Sequence, residues 1–273
     1  MPLLTKIFIY PIKSLGGIAL SESELTRQGL KYDRRWMLVD LDGMFLTQRS
    51  NSKMALLQPR IEGEHLIVED RSISGSSISF PLNLAKDHAS TIWTKVWDDE
   101  CDAIPVSTEV DRWFSEALQM PCQLVYMPES TNRQVDLNYA KPVDITSFSD
   151  GFPYLISTES SLKDLNSRLE TPVGIERFRP NLVISDTLPW DEDNWKAFAL
   201  GNAHFYSTKP CGRCQVITID PQTAVVGKEP LQTLATFRRQ GNKVLFGLNA
   251  CWDFQHAGGA LIKLGDELSL QAH

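Results

Sequence analysis

Short runs of β-branched and aromatic residues, rather than long amphipathic stripes, carry the hydrophobic pattern of this chain. Ile7 to Tyr10, Trp36 to Val39, Leu66 to Val68, Ser77 to Phe80, Leu182 to Ser185 and Val216 to Ile219 each read as a strand, with Gly, Asp and Asn between them, as in Asp42-Gly43. Three segments switch to helical spacing. Thr108 caps the first, with Asp111 three residues on and Val110, Trp113, Phe114, Ala117 and Leu118 forming an apolar stripe. The second spans about Ser160 to Leu169, with Leu162, Leu165 and Leu169 facing inward. Pro230 suits the first turn of a third, whose Leu231, Leu234 and Phe237 can pack on a sheet. The pattern predicts a mainly β, barrel-like protein with a few helices.

With 273 residues the chain can hold one large or two ordinary domains, and no repeat or long linker separates them. Hydrophobic residues at 42% and charged residues at 22% place it among soluble globular proteins. A formal charge of -7 argues against broad capture of nucleic acid or anionic lipid. No stretch approaches the roughly 18 apolar residues of a membrane span. Met1 to Lys6 runs directly into a strand without the regions of a signal peptide, so a cytoplasmic protein is expected. Five cysteines, an odd number, speak against a disulfide framework, and Cys101, Cys122 and Cys251 are expected as small buried hydrophobes.

The remaining pair, in Lys209-Pro210-Cys211-Gly212-Arg213-Cys214, stands apart. A zinc knuckle needs four ligands, and no second Cys-x-x-Cys or closely spaced His pair completes one. A thioredoxin-like dithiol sits between strand and helix, whereas Val216 to Ile219 reads as a following strand, which puts the motif in a loop at a strand mouth. A buried inert pair, a reactive or metal-bound thiolate and a disulfide all remain open on spacing alone. Arg213 between the cysteines and Lys209 upstream would favour thiolate and can hold an anion nearby.

The residues downstream narrow the choice. Cys211 to Pro221, Lys228-Glu229-Pro230-Leu231-Gln232-Thr233-Leu234 and Phe246-Gly247-Leu248-Asn249 resemble the core of the MOSC family, the domain found at the C-terminus of molybdenum-cofactor sulfurases. The branch that looks nearest contains the mitochondrial amidoxime-reducing component and bacterial N-hydroxylaminopurine-resistance proteins. Tyr10-Pro11-Ile12-Lys13-Ser14, Asp33 to Val39, Ser149-Asp150-Gly151-Phe152-Pro153, Asp164 to Leu169 and Arg177-Phe178-Arg179-Pro180-Asn181 also fit, in the right order along nearly the whole chain. The resemblance implies an N-terminal β-barrel region, residues 1–126, packed on a MOSC β-barrel domain, residues 127–273. Pro128 to Asn132 would form the boundary, and the opening strand would join the second barrel, bringing Lys13 and Ser14 beside the later motifs.

In such relatives one pyranopterin dithiolene holds molybdenum and one cysteine completes its sulfur ligation, a soft thiolate suiting a redox-active metal. Residue by residue, the resemblance makes Cys214 the metal ligand and catalytic residue, and Cys211 its neighbour. Lys13, Ser14 and Arg34 match positions around the cofactor phosphate, and Asp150, Gly151, Phe152 and Arg179 match positions lining the pterin. Gly212 and Arg213 approach beside the metal-bearing loop, and Asn249 is a further candidate. Loss of Arg34 or Arg179 is then expected to cost cofactor retention more than stability of the empty protein. Gly212 departs from the family, where a small hydroxylated residue is frequent. His65, His88, His204, His256 and His273 lie outside the motif core, and none is assigned to catalysis.

The resemblance implies a molybdenum-cofactor oxidoreductase that reduces N-hydroxylated compounds, amidoximes or hydroxylaminopurines, to amines. No C-x₄-C-x₂-C iron–sulfur signature occurs, so electrons are expected from a separate flavin or iron–sulfur protein. The absence of a targeting segment suggests a bacterial-type member. The alternatives are a sulfur-transfer protein carrying a persulfide on Cys214 and a non-catalytic cofactor carrier. Pyridoxal phosphate is not expected, because no lysine site for it can be assigned.

Overall fold

The computed structural model describes residues 1–83, 90–255 and 260–271. His88, His256 and His273 lie outside the described residues. The fold is mainly β, with three α-helices among the described residues. None of its helices is long and apolar enough to cross a membrane, again among the described residues.

The largest sheet has nine strands. Its opening strand, Leu4–Ile9, pairs antiparallel with Leu182–Ile184, which lies parallel to Tyr154–Thr158. The sheet continues through Lys243–Trp252 and the long strand Ala203–Arg213. Alternate side chains of these strands, among them Ile7, Ile9, Tyr154, Ile156, Phe205 and Leu248, meet in one buried cluster, as the two-residue period of a strand requires. A four-stranded sheet including Trp36–Val39 and Gln123–Tyr126 frames a second cluster, centred on the fully buried Trp36. Helix α1, Thr108–Leu118, closes that cluster with Val110, Phe114 and Leu118.

Most strand positions read from the pattern recur, and the exception is informative. Residues Gln215–Thr218 form a 3-10 helix, not a strand. Thr218 Oγ1 donates to the Gln215 carbonyl at 2.8 Å, offering the backbone a local partner in place of a ladder. Its β-branched residues are explained by burial, for Ile217 packs with Phe178, Leu234 and Phe246. The Cys-x-x-Cys motif therefore ends the preceding strand, with Cys211 inside it and Cys214 just past it. The cap of α1 shifts by one residue, since it is the Ser107 hydroxyl that accepts from the Val110 amide at 3.2 Å. Helices α2, Glu159–Asn166, and α3, Leu231–Phe237, bury Leu165 and Leu234 in a further cluster that backs the motif, and α2 ends before Leu169.

Candidate active site

Where the chain leaves the opening strand, residues Tyr10 to Ser14 are laced to Asp33–Trp36. The Tyr10 amide donates to Asp33 Oδ1 at 2.8 Å, the Arg34 amide to the Tyr10 carbonyl at 2.9 Å, and the Lys13 amide to the Trp36 carbonyl at 2.8 Å. Asn181 joins both to the sheet: its Oδ1 accepts from the Leu155 amide at 3.1 Å and from Arg34 Nη1 at 3.2 Å, while its Nδ2 donates to the Phe8 carbonyl. The fold thus collects segments more than a hundred residues apart at one end of the large sheet.

They line a cavity of about 680 Å³. Lys13, Ser14, Arg34, Asp150, Gly151, Phe152, Arg179, Gly212, Arg213, Cys214 and Asn249, the site residues expected from sequence, all face it. Nine Lys and Arg residues line it against four Asp, so a chain of net charge -7 concentrates cations here. Four non-glycine residues of the wall, Ser14, Arg34, Trp97 and Arg179, take left-handed backbone angles, φ 68°, 50°, 58° and 52°. Such residues each cost on the order of 1–3 kcal/mol and cluster where a site over-determines them.

Tyr10 is fully packed between two of the cations. The Arg34 and Arg179 guanidinium carbons lie 4.3 and 4.2 Å from its ring centroid. Burial pushes the Tyr10 hydroxyl up to about 12, with Arg179 and Arg34 opposing. Arg34 pairs with the wholly buried Asp33 carboxylate at 2.6 Å and donates to the Arg179 carbonyl at 3.2 Å. Arg179 Nη1 donates to the Leu15 carbonyl at 2.6 Å, and burial lowers its pKa to about 10. Both arginines therefore hold the apo fold together as well as facing the cavity, so the expectation that they matter more for cofactor than for stability needs revision.

Lys13 is likewise engaged, donating from Nζ to the Phe148 carbonyl at 2.7 Å and to Asp150 Oδ1 at 2.6 Å. Burial lowers its ammonium to about 8 even against the raising effect of Asp150. Asp150 lies deep in the concavity yet its side chain is 74% exposed to solvent there. Burial alone would raise it, but Lys13, Trp97 and Arg49 together hold its carboxyl well below the ordinary carboxylate range. Between about pH 8 and 10.5 the unfolded chain binds the Lys13 proton more tightly than the folded one, so this group alone makes stability rise with pH there. The cavity loses a positive charge in the same range. Affinity for an anion such as inorganic phosphate, titrated by calorimetry, is accordingly expected to fall as pH rises through about 8, and Lys13→Met to lack that step.

Two donors of the wall stand out by having no acceptor among the described residues. Arg213 Nε donates to the Phe246 carbonyl at 2.9 Å, but its Nη2 is buried without a partner there, as is Arg49 Nε. Buried unpaired guanidinium nitrogens beside a cavity suit an anionic ligand whose oxygens would complete them. Cys211 and Cys214 are free thiols, the first half-buried and the second exposed. Burial raises the Cys211 thiol and outweighs Arg213, contrary to the expectation of a favoured thiolate at that cysteine. Among the described residues no group of three or more His, Cys, Asp or Glu could hold a metal ion, so a metal bound through Cys214 would need the other ligands brought by a cofactor.

These features meet sequence similarity over the same residues. Residues 1–121 match the MOSC N-terminal beta barrel domain and residues 144–269 the MOSC domain. The chain belongs to the MOSC family. It is 30% identical to the mitochondrial amidoxime-reducing component 1 of Homo sapiens, covering 98% of this chain and 82% of that one. Against the same protein of Danio rerio identity is 31%, over 86% and 74% of the two chains. The molybdenum cofactor sulfurase of Arabidopsis thaliana is 32% identical over 97% of this chain, which spans only 35% of that relative.

The MOSC pocket also contains residues that sequence reasoning missed. Arg133 is buried and donates to Asp99 Oδ2 and to the Ser147 and Ser149 carbonyls, pinning the turn before Asp150. Arg49 stacks on Trp97, its guanidinium carbon 4.1 Å from the ring centroid. Each is a lone residue outside the recognised motifs, and only long-range packing brings it to the wall. A Cβ at Gly212 would meet nothing closer than the Lys243 side chain at 3.4 Å, so the hydroxylated residue frequent in the family would fit. Gly247 is different: its φ is 79° and a Cβ would lie 2.7 Å from the Ile156 carbonyl.

Proposed function

We propose that this MOSC protein is a molybdenum-cofactor reductase of N-hydroxylated compounds, with Cys214 as the protein ligand to the metal. The observation that supports the reading best is the meeting of an exposed Cys214 thiol with unpaired, buried Arg213 Nη2 in one cation-lined cavity. The mitochondrial relatives, named amidoxime-reducing components, align with this chain over most of their length.

When bound, the cofactor supplies two-electron chemistry at molybdenum. The chain supplies the rest. Arg34, Arg179 and Arg213 hold anionic oxygens by charge-assisted bonds, and Ser14, Asp150, Gly151 and Phe152 bound the space around a polar ring system. Asn249 fixes the strand edge before the motif through its Nδ2 bond to the Lys209 carbonyl at 3.2 Å. Cleaving N–OH to an amine and water consumes two electrons and two protons. Lys13 Nζ, hydrogen-bonded to Asp150 and pushed down to about 8, is a wall group that holds a proton close to neutrality. Electrons come from a separate flavin or iron–sulfur protein.

Protein loaded with molybdenum and supplied with an artificial low-potential donor is expected to convert benzamidoxime to benzamidine, with NADH alone giving negligible product. Failure of fully loaded protein across several N-hydroxylated substrates would sink this reading. It would favour sulfur transfer, which the sulfurase relatives and the exposed Cys214 thiol support, and which a persulfide-specific label on Cys214 would detect.

A further inference from the structure

Lys209 lies two residues before Cys211 on the strand Ala203–Arg213 and lines the cavity. Its ammonium is 4.2 Å from the ring centroid of Tyr139 and 4.9 Å from that of Phe152, and the two rings meet edge to face at 6.4 Å. Ring faces attract a cation without neutralising it. Among the described residues the Lys209 ammonium has no hydrogen-bond acceptor and no carboxylate partner, although the chain is acidic overall. Its backbone is anchored, because the Lys209 carbonyl accepts from Asn249 Nδ2 and Thr208 Oγ1 donates to the Asn249 carbonyl at 3.1 Å. A cation resting on two rings, facing a cavity and without an acceptor among the described residues, suits an anion.

Lys209 rests on a different pair of rings from Arg34 and Arg179, which flank Tyr10. If Arg34 and Arg179 serve the cofactor's phosphate, Lys209 is left for another acidic group, and the apolar faces of Phe152 and Tyr139 lie beside it.

We infer that Lys209, held between Tyr139 and Phe152, anchors an acidic group on the substrate, so that the enzyme favours N-hydroxylated compounds carrying a carboxylate or phosphate. This rests on the reductase reading, and its test separates the two. Loaded protein would be assayed with an artificial donor on para-carboxybenzamidoxime and on its methyl ester. The carboxylate is expected to be preferred by about tenfold in kcat/KM, through KM, with the preference fading as ionic strength rises. Lys209→Gln should bring the ratio close to one, and Lys209→Arg should restore most of it; an unchanged ratio in Lys209→Gln overturns the inference. Calorimetric binding of the product, para-carboxybenzamidine, against benzamidine reads the same site without turnover. If neither oxime is reduced but the carboxylate still binds in a Lys209-dependent way, the reductase reading fails while the anion site stands. A fall in molybdenum content in Lys209→Gln that accounts for the lost activity would assign Lys209 to the cofactor's own phosphate and overturn the inference.

Discussion

Cys214→Ser is expected to lower bound molybdenum by about 100-fold in protein made in a cofactor-competent host, with almost no change in thermal unfolding of the empty chain. The two halves of this expectation have separate causes. A serine hydroxyl is a hard, neutral donor at ordinary pH and cannot replace a soft thiolate on a redox-active metal. The Cys214 side chain is exposed and makes no capping bond to the 3-10 helix that follows it, so its removal leaves no cavity and no orphaned partner. Cys211→Ser is the necessary comparison. Its thiol is half-buried in the last turn of the strand, beneath the influence of Arg213 and Asn249. Metal analysis alongside melting of both apo variants decides the matter: full metal in Cys214→Ser with loss in Cys211→Ser would exchange the two assignments.

Arg34→Ala is expected to destabilise the empty protein by about 3–5 kcal/mol, the cost of leaving a buried charge without its partner. The Asp33 carboxylate has no exposed side-chain surface, and Arg34 is its ion-pair partner at 2.6 Å. The same guanidinium bonds Asn181 Oδ1 and the Arg179 carbonyl, and covers one face of Tyr10. Its loss therefore loosens the junction of three segments, those of Tyr10, Asp33 and Arg179–Asn181. Arg34→Lys should recover part of the loss, because an ammonium can pair with Asp33 but cannot span both other acceptors in one plane. Arg213→Gln offers a contrast: one bond, to the Phe246 carbonyl, is lost, so stability should fall by only about 1 kcal/mol while cofactor retention falls more steeply. Denaturant unfolding of the apo variants, read beside their pterin content, tests both. Normal stability of Arg34→Ala would show that Asp33 finds another partner.

The relation of sequence to structure differs between strands, motif and site. Trp36 to Val39 was legible as a strand because four large or branched apolar residues in a row have few ways to be buried, and all four are buried. The stripe of α1 was legible because Val110, Phe114 and Leu118 repeat at helical spacing, and these three line its core face. Val216 to Ile219 was misread because β-branched residues signal burial as much as strand, and here the Thr218 hydroxyl and packing against Phe178 and Leu234 favour a tight helix.

By itself the sequence determined the mainly β class, the family and the candidate residues, since those rest on local period and on motifs contiguous along the chain. Only the tertiary structure decided which charges already have partners within the fold. Lys13, Arg34 and Arg179 look like free cations in the sequence, but each already donates within the fold, to Phe148, Asp33 and Leu15 respectively. Arg213 Nη2, Arg49 Nε and the Lys209 ammonium are left without an acceptor among the described residues. The physical reason is that a side chain's availability depends on where the fold places its partners: Phe148 is 135 residues from Lys13 and Leu15 is 164 from Arg179, and even the neighbouring Asp33 meets Arg34 through the left-handed backbone at Arg34.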